Sequence, residues 1–210
     1  MRTAIVTGAA GGIGEATAQD LARWGWRVFG FDLRAGESTL VSSDLAGFGG
    51  SVEPVRVDVT DRAAVEAAVA AVLATTGGTL DAVVANAGIR VAGAFEETPF
   101  AQIRRMLEVN LGGAMHVTRA ALPALRVTEG SRVVVVSSVG GLSALPGLAA
   151  YCGSKWAVEG WAESLAHELH PLGVGVSIVE PASVRTGLWD LGTVHGDPDG
   201  PYASLVESVE

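Results

Sequence analysis

The segment Tyr151-Cys152-Gly153-Ser154-Lys155 places a phenol and an ammonium four residues apart at the start of a predicted helix. Side chains at this spacing lie on the same helix face, so Tyr151 and Lys155 are expected side by side. A neighbouring ammonium favours the phenolate and lowers a phenol pKa that is ordinarily about 10. Such a tyrosine exchanges a proton with an alcohol or a ketone near neutral pH. Because this spacing alone is common in proteins, it indicates a catalytic pair only if the rest of the chain supplies a cofactor site and a substrate site.

The elements that would position this pair are short apolar runs alternating with helical stretches. The runs are rich in Val and Ile, which is typical of strands covered on both faces, and the alternation indicates a parallel sheet with crossover helices. The predicted strands are Thr3–Thr7, Arg27–Phe31, Glu53–Val57, Asp81–Ala85, Arg132–Ser137 and Gly175–Val179. The predicted helices are Gly12–Trp24, Arg62–Thr75, Pro99–Leu125 and Tyr151–Leu172. The fold class is α/β, a Rossmann-type doubly wound parallel sheet with helices on both faces, as one domain over 1–210.

Composition excludes several classes of function. The net charge of −9 argues against nucleic acid or an anionic membrane as partner. The single cysteine, Cys152, cannot form an internal disulfide, so a cytoplasmic protein is expected. A strand from Thr3 leaves no room for a signal peptide. The uncharged stretch Val133–Ser154 contains serines, glycines and a proline, which favours a buried strand and loop over a membrane span. The histidines show no metal-ligand spacing, so no metal is expected.

A glycine-rich turn, Thr7–Gly14, joins the first strand to the first helix. In this context backbone N–H groups and the helix N-terminus can hold a pyrophosphate. The residues assigned to this contact are Gly8, Gly12, Ile13 and Gly14. Asp32-Leu33 ends the second strand, where a carboxylate binds the adenosine ribose hydroxyls and repels a 2′-phosphate. The sequence therefore predicts NAD(H), although Arg34 could accommodate the phosphate of NADP(H).

Polar residues also follow the third and fourth strands. Asp58-Val59 and Asn86-Ala87-Gly88 lie where a parallel sheet presents its ligand-binding edge. Turn formation explains the same residue types, since Asp, Asn and Gly are favoured in turns. Both segments are candidate cofactor contacts.

Taken together, these motifs resemble the short-chain dehydrogenase/reductase family, in its branch of typical length. The glycine turn matches T-G-x-x-x-G-x-G, Asn86–Gly88 matches N-A-G, and the opening pair matches Y-x-x-x-K. Ser138 precedes Tyr151 by 13 residues (151 − 138), the family's usual offset for a catalytic serine. Asn110 matches the structural and proton-relay asparagine. The order and spacing of the set carry the resemblance, which covers residues 1 to about 190.

The resemblance implies a mechanism for these residues. Tyr151 would be the general acid in ketone reduction and the general base in alcohol oxidation. Lys155 would lower the tyrosine pKa and bind the nicotinamide ribose. Ser138 would hold the substrate oxygen, and Asn110 would hold a water that links Lys155 to solvent.

The segment Pro181–Thr186 resembles the family's P-G-x-x-x-T stretch beside the nicotinamide, with Ala182 in place of glycine. Its expected cofactor contacts are Pro181, Val184 and Thr186. The expected substrate pocket is mostly apolar, which favours a hydrophobic or ring-bearing substrate over a sugar or a small hydroxy acid. Its residues are Ser138, Leu142, Leu145, Ala182 and Trp189, beside Tyr151.

The chain departs from the family at its C-terminal side. Family members of this branch run longer and end with a further helix and a seventh strand, for which no candidate exists here. Residues from about 186 to 210 are expected to form a substrate loop with short helical pieces at Leu188–Asp190 and Pro201–Val209. A homo-oligomer, either a dimer or the family's tetramer, is expected, and a dimer through the two long helices is the hypothesis that does not require the absent elements.

The leading hypothesis is an NAD(H)-dependent oxidoreductase that interconverts a secondary alcohol and a ketone. Two alternatives stay open: a 3-oxoacyl thioester reductase, and a non-catalytic NAD-binding sensor that kept the fold. An epimerase of the extended branch is disfavoured, because it would need a substrate domain that this length does not provide.

Overall fold

The computed structural model describes residues 1–35, 49–184 and 193–209. Within them a six-stranded sheet forms the centre of the molecule, in the order β3-β2-β1-β4-β6-β7, and every neighbouring pair is parallel. The strands, including a separate pair β5 and β8, are β1 Thr3–Thr7, β2 Arg27–Asp32, β3 Ser51–Arg56, β4 Ala82–Ala85, β5 Val91–Gly93, β6 Arg132–Val136, β7 Gly175–Val179 and β8 Thr193–His195.

Burial explains which strand takes which place in the sheet. All residues of β1 and β4 are buried, so these two apolar runs occupy the centre, covered on both faces. β3 contains Pro54, which lacks a backbone N–H, and it lies at one edge of the sheet. β7 is only partly buried and lies at the other edge of the described sheet.

The helices are α1 Gly12–Arg23, α2 Arg62–Thr75, α3 Phe100–Leu107, α4 Ala114–Leu125, α5 Ala149–Leu169 and α6 Ala203–Val209. A π-helical turn, Glu108–Gly113, joins α3 to α4, so this stretch is one continuous helical segment. Asp61 caps α2 by accepting a hydrogen bond from the Ala64 N–H at 3.0 Å. Apolar residues of α2, α4 and α5 pack with the sheet in the largest core cluster.

The predicted α/β class and doubly wound sheet are confirmed. Each of the six predicted strands occurs in the sheet, with ends that differ by at most two residues. The sequence did not predict the small parallel pair of β5 and β8, which is too short to leave a period-2 pattern. Helix α6 lies within the predicted piece Pro201–Val209, whereas Leu188–Asp190 is outside the described residues.

Within the described ranges, no helix is both long enough and apolar enough to cross a membrane. Val133–Ser154 contains β6 from its second residue onward, a short 3₁₀ turn at Val139–Gly141 and the start of α5, as the sequence predicted for a strand followed by a loop.

Candidate active site

A cavity of about 490 Å³ opens at the adjacent strands β1 and β4. From β1 the chain continues to β2 and β3 on one side of the sheet, and from β4 it continues to β6 and β7 on the other. This point in a doubly wound sheet is where the loops after neighbouring strands diverge and leave a crevice. The described residues that line it include many that the sequence predicted: Gly8, Gly12, Ile13, Asp32, Asn86, Ala87, Gly88, Ser138, Leu145, Tyr151, Lys155, Pro181, Ala182 and Val184.

The glycine turn and the Asn86 segment are bonded to each other across β1 and β4. The Thr7 hydroxyl oxygen accepts hydrogen bonds from the N–H groups of Asn86 and Ala87, each at 2.9 Å. The Asn86 amide donates back to the Thr7 carbonyl at 2.9 Å. Gly8 has a φ of +69° and the Cβ of any other residue there would meet the Asn86 amide nitrogen at 2.8 Å. Both the conformation and the close approach therefore require glycine.

Gly14 does not line the cavity but fixes the turn from behind. It lies in the first turn of α1, and a Cβ at this position would overlap the carbonyl oxygen of Gly8 and the amide nitrogen of Asn86. The absence of a side chain allows α1 to begin directly against the turn. The N–H groups at the start of α1 are thereby held at the cavity wall, where they could bind phosphate.

Asp32 is held at the end of β2 by two backbone donors. The Ala10 N–H donates to one carboxylate oxygen at 3.0 Å, and the Arg34 N–H donates to the other at 2.9 Å. Asp32 and Arg34 both line the cavity, with the Arg34 Nε 3.9 Å from the Asp32 Oδ1. Leu33 points outward, about half exposed, and is not part of the lining. Both candidate determinants of cofactor choice are therefore at the same end of the cavity.

Asp58 and Val59 are placed outside the described lining. The Asp58 carboxylate accepts from the Thr60 hydroxyl at 2.7 Å and from Arg105 at 3.1 Å. Burial alone would raise the pKa of Asp58, but the hydrogen bonds from Thr60 and Arg105 outweigh it and the pKa is lowered. Val59 is buried against Gly113. Asp58 and Val59 therefore lie at the junction of β3, α2 and the π-helical turn.

Asn110 sits in the π-helical turn, 3% exposed, and acts as a junction between three segments. Its side-chain oxygen accepts from the Ile89 N–H at 2.8 Å, and its amide donates to the Ile89 carbonyl at 3.0 Å and to the Ser154 hydroxyl at 3.1 Å. The widened turn presents this amide to both neighbours, in keeping with the occurrence of π-bulges at functional sites. Asn110 thus fixes the loop after β4 against α5.

Tyr151 and Lys155 are adjacent on α5, each 6% exposed, and both face the cavity. The Lys155 ammonium donates to the Val136 carbonyl at 3.0 Å and lies 6.0 Å from the centre of the Tyr151 ring. The Ser138 hydroxyl caps the 3₁₀ turn by accepting from the Gly140 N–H at 3.1 Å, and it is also hydrogen-bonded to Tyr151. The sequence placed these three residues together, and the structure does so.

The predicted direction of the tyrosine shift is wrong in this structure. Burial raises the pKa of Tyr151, and hydrogen bonding to Ser138 and the charge of Arg90 offset the rise only in part. Burial also lowers the pKa of Lys155 to about 8. Spacing on a helix gives the adjacency of the two groups, but it carries no information about how far both are withdrawn from water.

Glu159 lies one helical turn beyond Lys155, is 7% exposed, and packs against Gly141. Its negative charge raises the pKa of Lys155 and so opposes part of the effect of burial. We expect Glu159→Gln to lower the pKa of Lys155 below its value of about 8, so that more of the lysine is neutral at neutral pH. NMR titration of the lysine side chain measures this directly. Glu163→Gln, at an exposed position of the same helix, is the matched control, and an unchanged Lys155 pKa in E159Q would contradict the coupling.

The expected substrate pocket is present in part. Leu145 and Ala182 line the cavity, whereas Leu142 is 59% exposed and outside the described lining. Thr186 and Trp189 are outside the described residues. Further apolar residues contribute lining that the sequence did not predict, among them Ile89, Val136, Val139 and Leu148.

Arg90 is the main site residue that the sequence analysis missed. It lines the cavity, is 5% exposed, and its charge acts on Tyr151. The available signal was its position, because it is the one charged residue in the run Ile89–Ala94, which directly follows the N-A-G motif.

Comparison with protein families gives a match to the model for short chain dehydrogenases over residues 2–192. The chain belongs to the short-chain dehydrogenase family. A curated relative, the 3-ketodihydrosphingosine reductase of Bacteroides thetaiotaomicron, is 32% identical over 186 residues, which are 89% of this chain and 65% of that protein. The chain thus spans just under two thirds of the length of this relative.

Solved structures of short-chain dehydrogenases agree with the fold. A short-chain dehydrogenase/reductase from Burkholderia phymatum, in complex with NAD, superposes with a TM-score of 0.84 at 33% identity, covering 90% of this chain and 68% of that one. A 3-ketoacyl-(acyl-carrier-protein) reductase from Brucella melitensis, complexed with NADH, gives 0.82 at 28% identity, covering 91% and 80%.

Proposed function

We propose that this short-chain dehydrogenase is an NAD(H)-dependent oxidoreductase that interconverts a secondary alcohol and a ketone. The observation that carries the proposal is one cavity with Ser138, Tyr151 and Lys155 at one end and the glycine turn with Asp32 at the other. The first end can exchange a proton with a substrate oxygen, and the second has the features of a dinucleotide site.

The lining fits a nicotinamide dinucleotide. Gly8 and Gly14 have no side chains at positions where a side chain would fill the turn, and the start of α1 faces the cavity. The glycine turn would hold the pyrophosphate, Asp32 the adenosine ribose, and Lys155 the nicotinamide ribose. When bound, the nicotinamide supplies or accepts the hydride. The complexes of the Burkholderia and Brucella proteins with NAD and NADH support this assignment.

The chain's own residues handle the proton and the substrate oxygen. Tyr151 donates a proton to the ketone oxygen or removes one from the alcohol. Ser138 bonds the same oxygen and holds it within reach of Tyr151. Asn110 fixes the Ile89 backbone against α5, and so preserves the distance between the two walls of the cavity.

The protonation of Tyr151 favours the reductive direction near neutral pH. Because burial raises its pKa above the ordinary value, the phenol is the predominant form, and the phenol is what donates a proton to a ketone. Alcohol oxidation needs the phenolate and therefore increases as pH rises.

The preference for NAD(H) rests on Asp32, and Arg34 opposes it. We expect calorimetric titration to show tighter binding of NADH than of NADPH. Asp32→Asn removes the charge that would repel a 2′-phosphate, so the preference should shift toward NADPH by about tenfold, which corresponds to about 1.4 kcal/mol. Asp20→Asn, at an exposed carboxylate paired with Arg23, is the control and should leave the ratio unchanged. A parent protein that prefers NADPH would show that Arg34 outweighs Asp32.

A 3-oxoacyl thioester reductase is the second candidate. The Brucella reductase, which carries that activity in its name, was solved with NADH, so an acidic residue at position 32 does not argue against this class. A panel of ketones and 3-oxoacyl thioesters separates the two. A sensor that binds NADH and turns over nothing is the third, and the absence of turnover across such a panel would favour it.

The oligomer proposed is a dimer through the long helices α3–α4 and α5. The exposed apolar side chains on them, Phe100, Leu107 and Trp156, are consistent with a covered face. Light scattering at micromolar concentration should give twice the chain mass of 21.4 kDa. A monomer mass would remove the proposal. A cytoplasmic location is likewise proposed, from the single cysteine.

A further inference from the structure

The wall of the cavity beside Tyr151 carries a buried cation that the chemistry described above does not use. Arg90 lines the cavity and is 5% exposed. Burial lowers its pKa, but a guanidinium retains its charge at neutral pH even so. Its charge acts on Tyr151, so the two groups are near each other at the reactive end.

Arg90 is held on a rigid part of the structure. The preceding residue, Ile89, is bonded through both its backbone groups to Asn110. The following residue, Val91, begins β5 and packs in the same apolar cluster as Tyr151. The Gly93 N–H donates to the Gly147 carbonyl at 2.8 Å, which ties β5 to the loop before α5. A side chain set between two such anchors is positioned for selective contact.

The charges around the cavity are distributed unequally. Among the described lining residues the acidic group is Asp32, and it lies with Arg34 at the adenosine end. The reactive end has two cations, Arg90 and Lys155, and no lining carboxylate in the described ranges. The other described lining there is largely apolar, from Ile89, Leu145 and Leu148. This end suits a molecule with an apolar body and a negative charge.

We propose that Arg90 binds a carboxylate of the substrate and makes this protein selective for hydrophobic oxo acids and hydroxy acids. The inference rests on the proposed function, because it concerns the same cavity. A planar guanidinium binds a carboxylate through two parallel hydrogen bonds, which orients the ligand as well as attracting it. The apolar body expected from the sequence is retained, and an acid group is added to it.

The test compares acids with neutral molecules of the same shape. The substrates are 3- and 4-acetylbenzoate and the corresponding acetylbenzamides, reduced with NADH, and the readout is the ratio of kcat/KM for acid over amide. We expect the parent to favour one of the acids by about tenfold to a hundredfold, the range of hydrogen bonds to charged groups. Arg90→Gln should abolish the preference by lowering kcat/KM for the acid while leaving kcat/KM for the amide unchanged. Arg90→Lys should retain part of the preference.

A second readout does not need turnover. Calorimetry of the NADH-loaded protein with benzoate and with benzamide should show tighter binding of benzoate in the parent and equal binding in R90Q. Arg34→Gln, which removes a cation at the other end of the cavity, is the matched control: it changes nucleotide affinity but not the acid-to-amide ratio.

The outcomes separate this inference from the proposed function. Equal reduction of acids and amides by the parent would leave the oxidoreductase standing and overturn the role of Arg90. The role of Arg90 would also be overturned if R90Q lowered kcat/KM equally for acid and amide, since an equal loss indicates an effect on the structure or on the pKa of Tyr151. Arg90-dependent benzoate binding without reduction of any ketone would support the anion site and count against the oxidoreductase. If R90Q does not fold, the acid-to-amide ratios of the parent and of R90K decide.

Discussion

Tyr151→Phe should abolish ketone reduction and leave NADH binding intact. The substitution removes the phenol that we propose as the proton donor to the ketone oxygen, and it retains the ring that packs with Leu148 and Cys152. General acid catalysis contributes about a hundredfold to ten-thousandfold to a rate, and we expect a fall in kcat of at least the middle of that range, about a thousandfold. Steady-state kinetics and calorimetric titration with NADH measure the two effects separately.

The second tyrosine of the chain provides a matched control. Tyr202 is at the surface, where its hydroxyl donates to Glu96 at 2.8 Å, away from the cavity lining. Tyr202→Phe removes the same atom and should leave kcat unchanged. A Tyr151→Phe protein that still reduces ketones at more than about a tenth of the parent rate would exclude Tyr151 as the acid, because acid catalysis is worth more than that. If the parent itself reduces no ketone, the sensor hypothesis gains.

The sequence was sufficient for the fold because the pattern and the physics agree along the whole sheet. β1 and β4 are continuous apolar runs, and such runs are stable only when both faces are covered. The glycine turn was equally readable, since Gly8 and Gly14 occupy positions where a side chain would collide with backbone or with Asn86. These constraints act on residues that are close together in the chain, so they determine residue type and spacing and can be predicted from the sequence.

The electrostatics of the site could not be predicted in the same way. The sign of the Tyr151 shift depends on burial by segments remote in sequence, and the opposing charge comes from Arg90, 61 positions earlier (151 − 90). Asp58 was expected at the cofactor on the basis of its place after a strand. In the structure it is committed to Thr60 and Arg105. The position of a residue after a strand predicts which edge of the sheet it lies at, but it does not predict the direction in which its side chain points.

Gly14→Ala tests whether the nucleotide site depends on the packing behind it. The added methyl group would overlap the Gly8 carbonyl oxygen and the Asn86 amide, so the turn and the start of α1 must separate. Forcing one methyl group into a packed contact costs about 1–3 kcal/mol. We expect a loss of stability in that range, visible as a lower Tm. Because the shifted atoms include the N–H groups that would face the phosphates, NADH should also bind about tenfold to a hundredfold more weakly.

Gly160→Ala separates this effect from the general consequences of replacing a glycine in a helix. Gly160 is within α5, and a Cβ there would meet nothing within 4 Å. The change should stabilise the protein by about 1 kcal/mol through helix propensity and leave NADH affinity as it is. If G14A binds NADH as the parent does while losing stability, the glycine serves only the packing of α1. If both variants bind normally and are equally stable, the close contact between Gly14 and Gly8 is wrong.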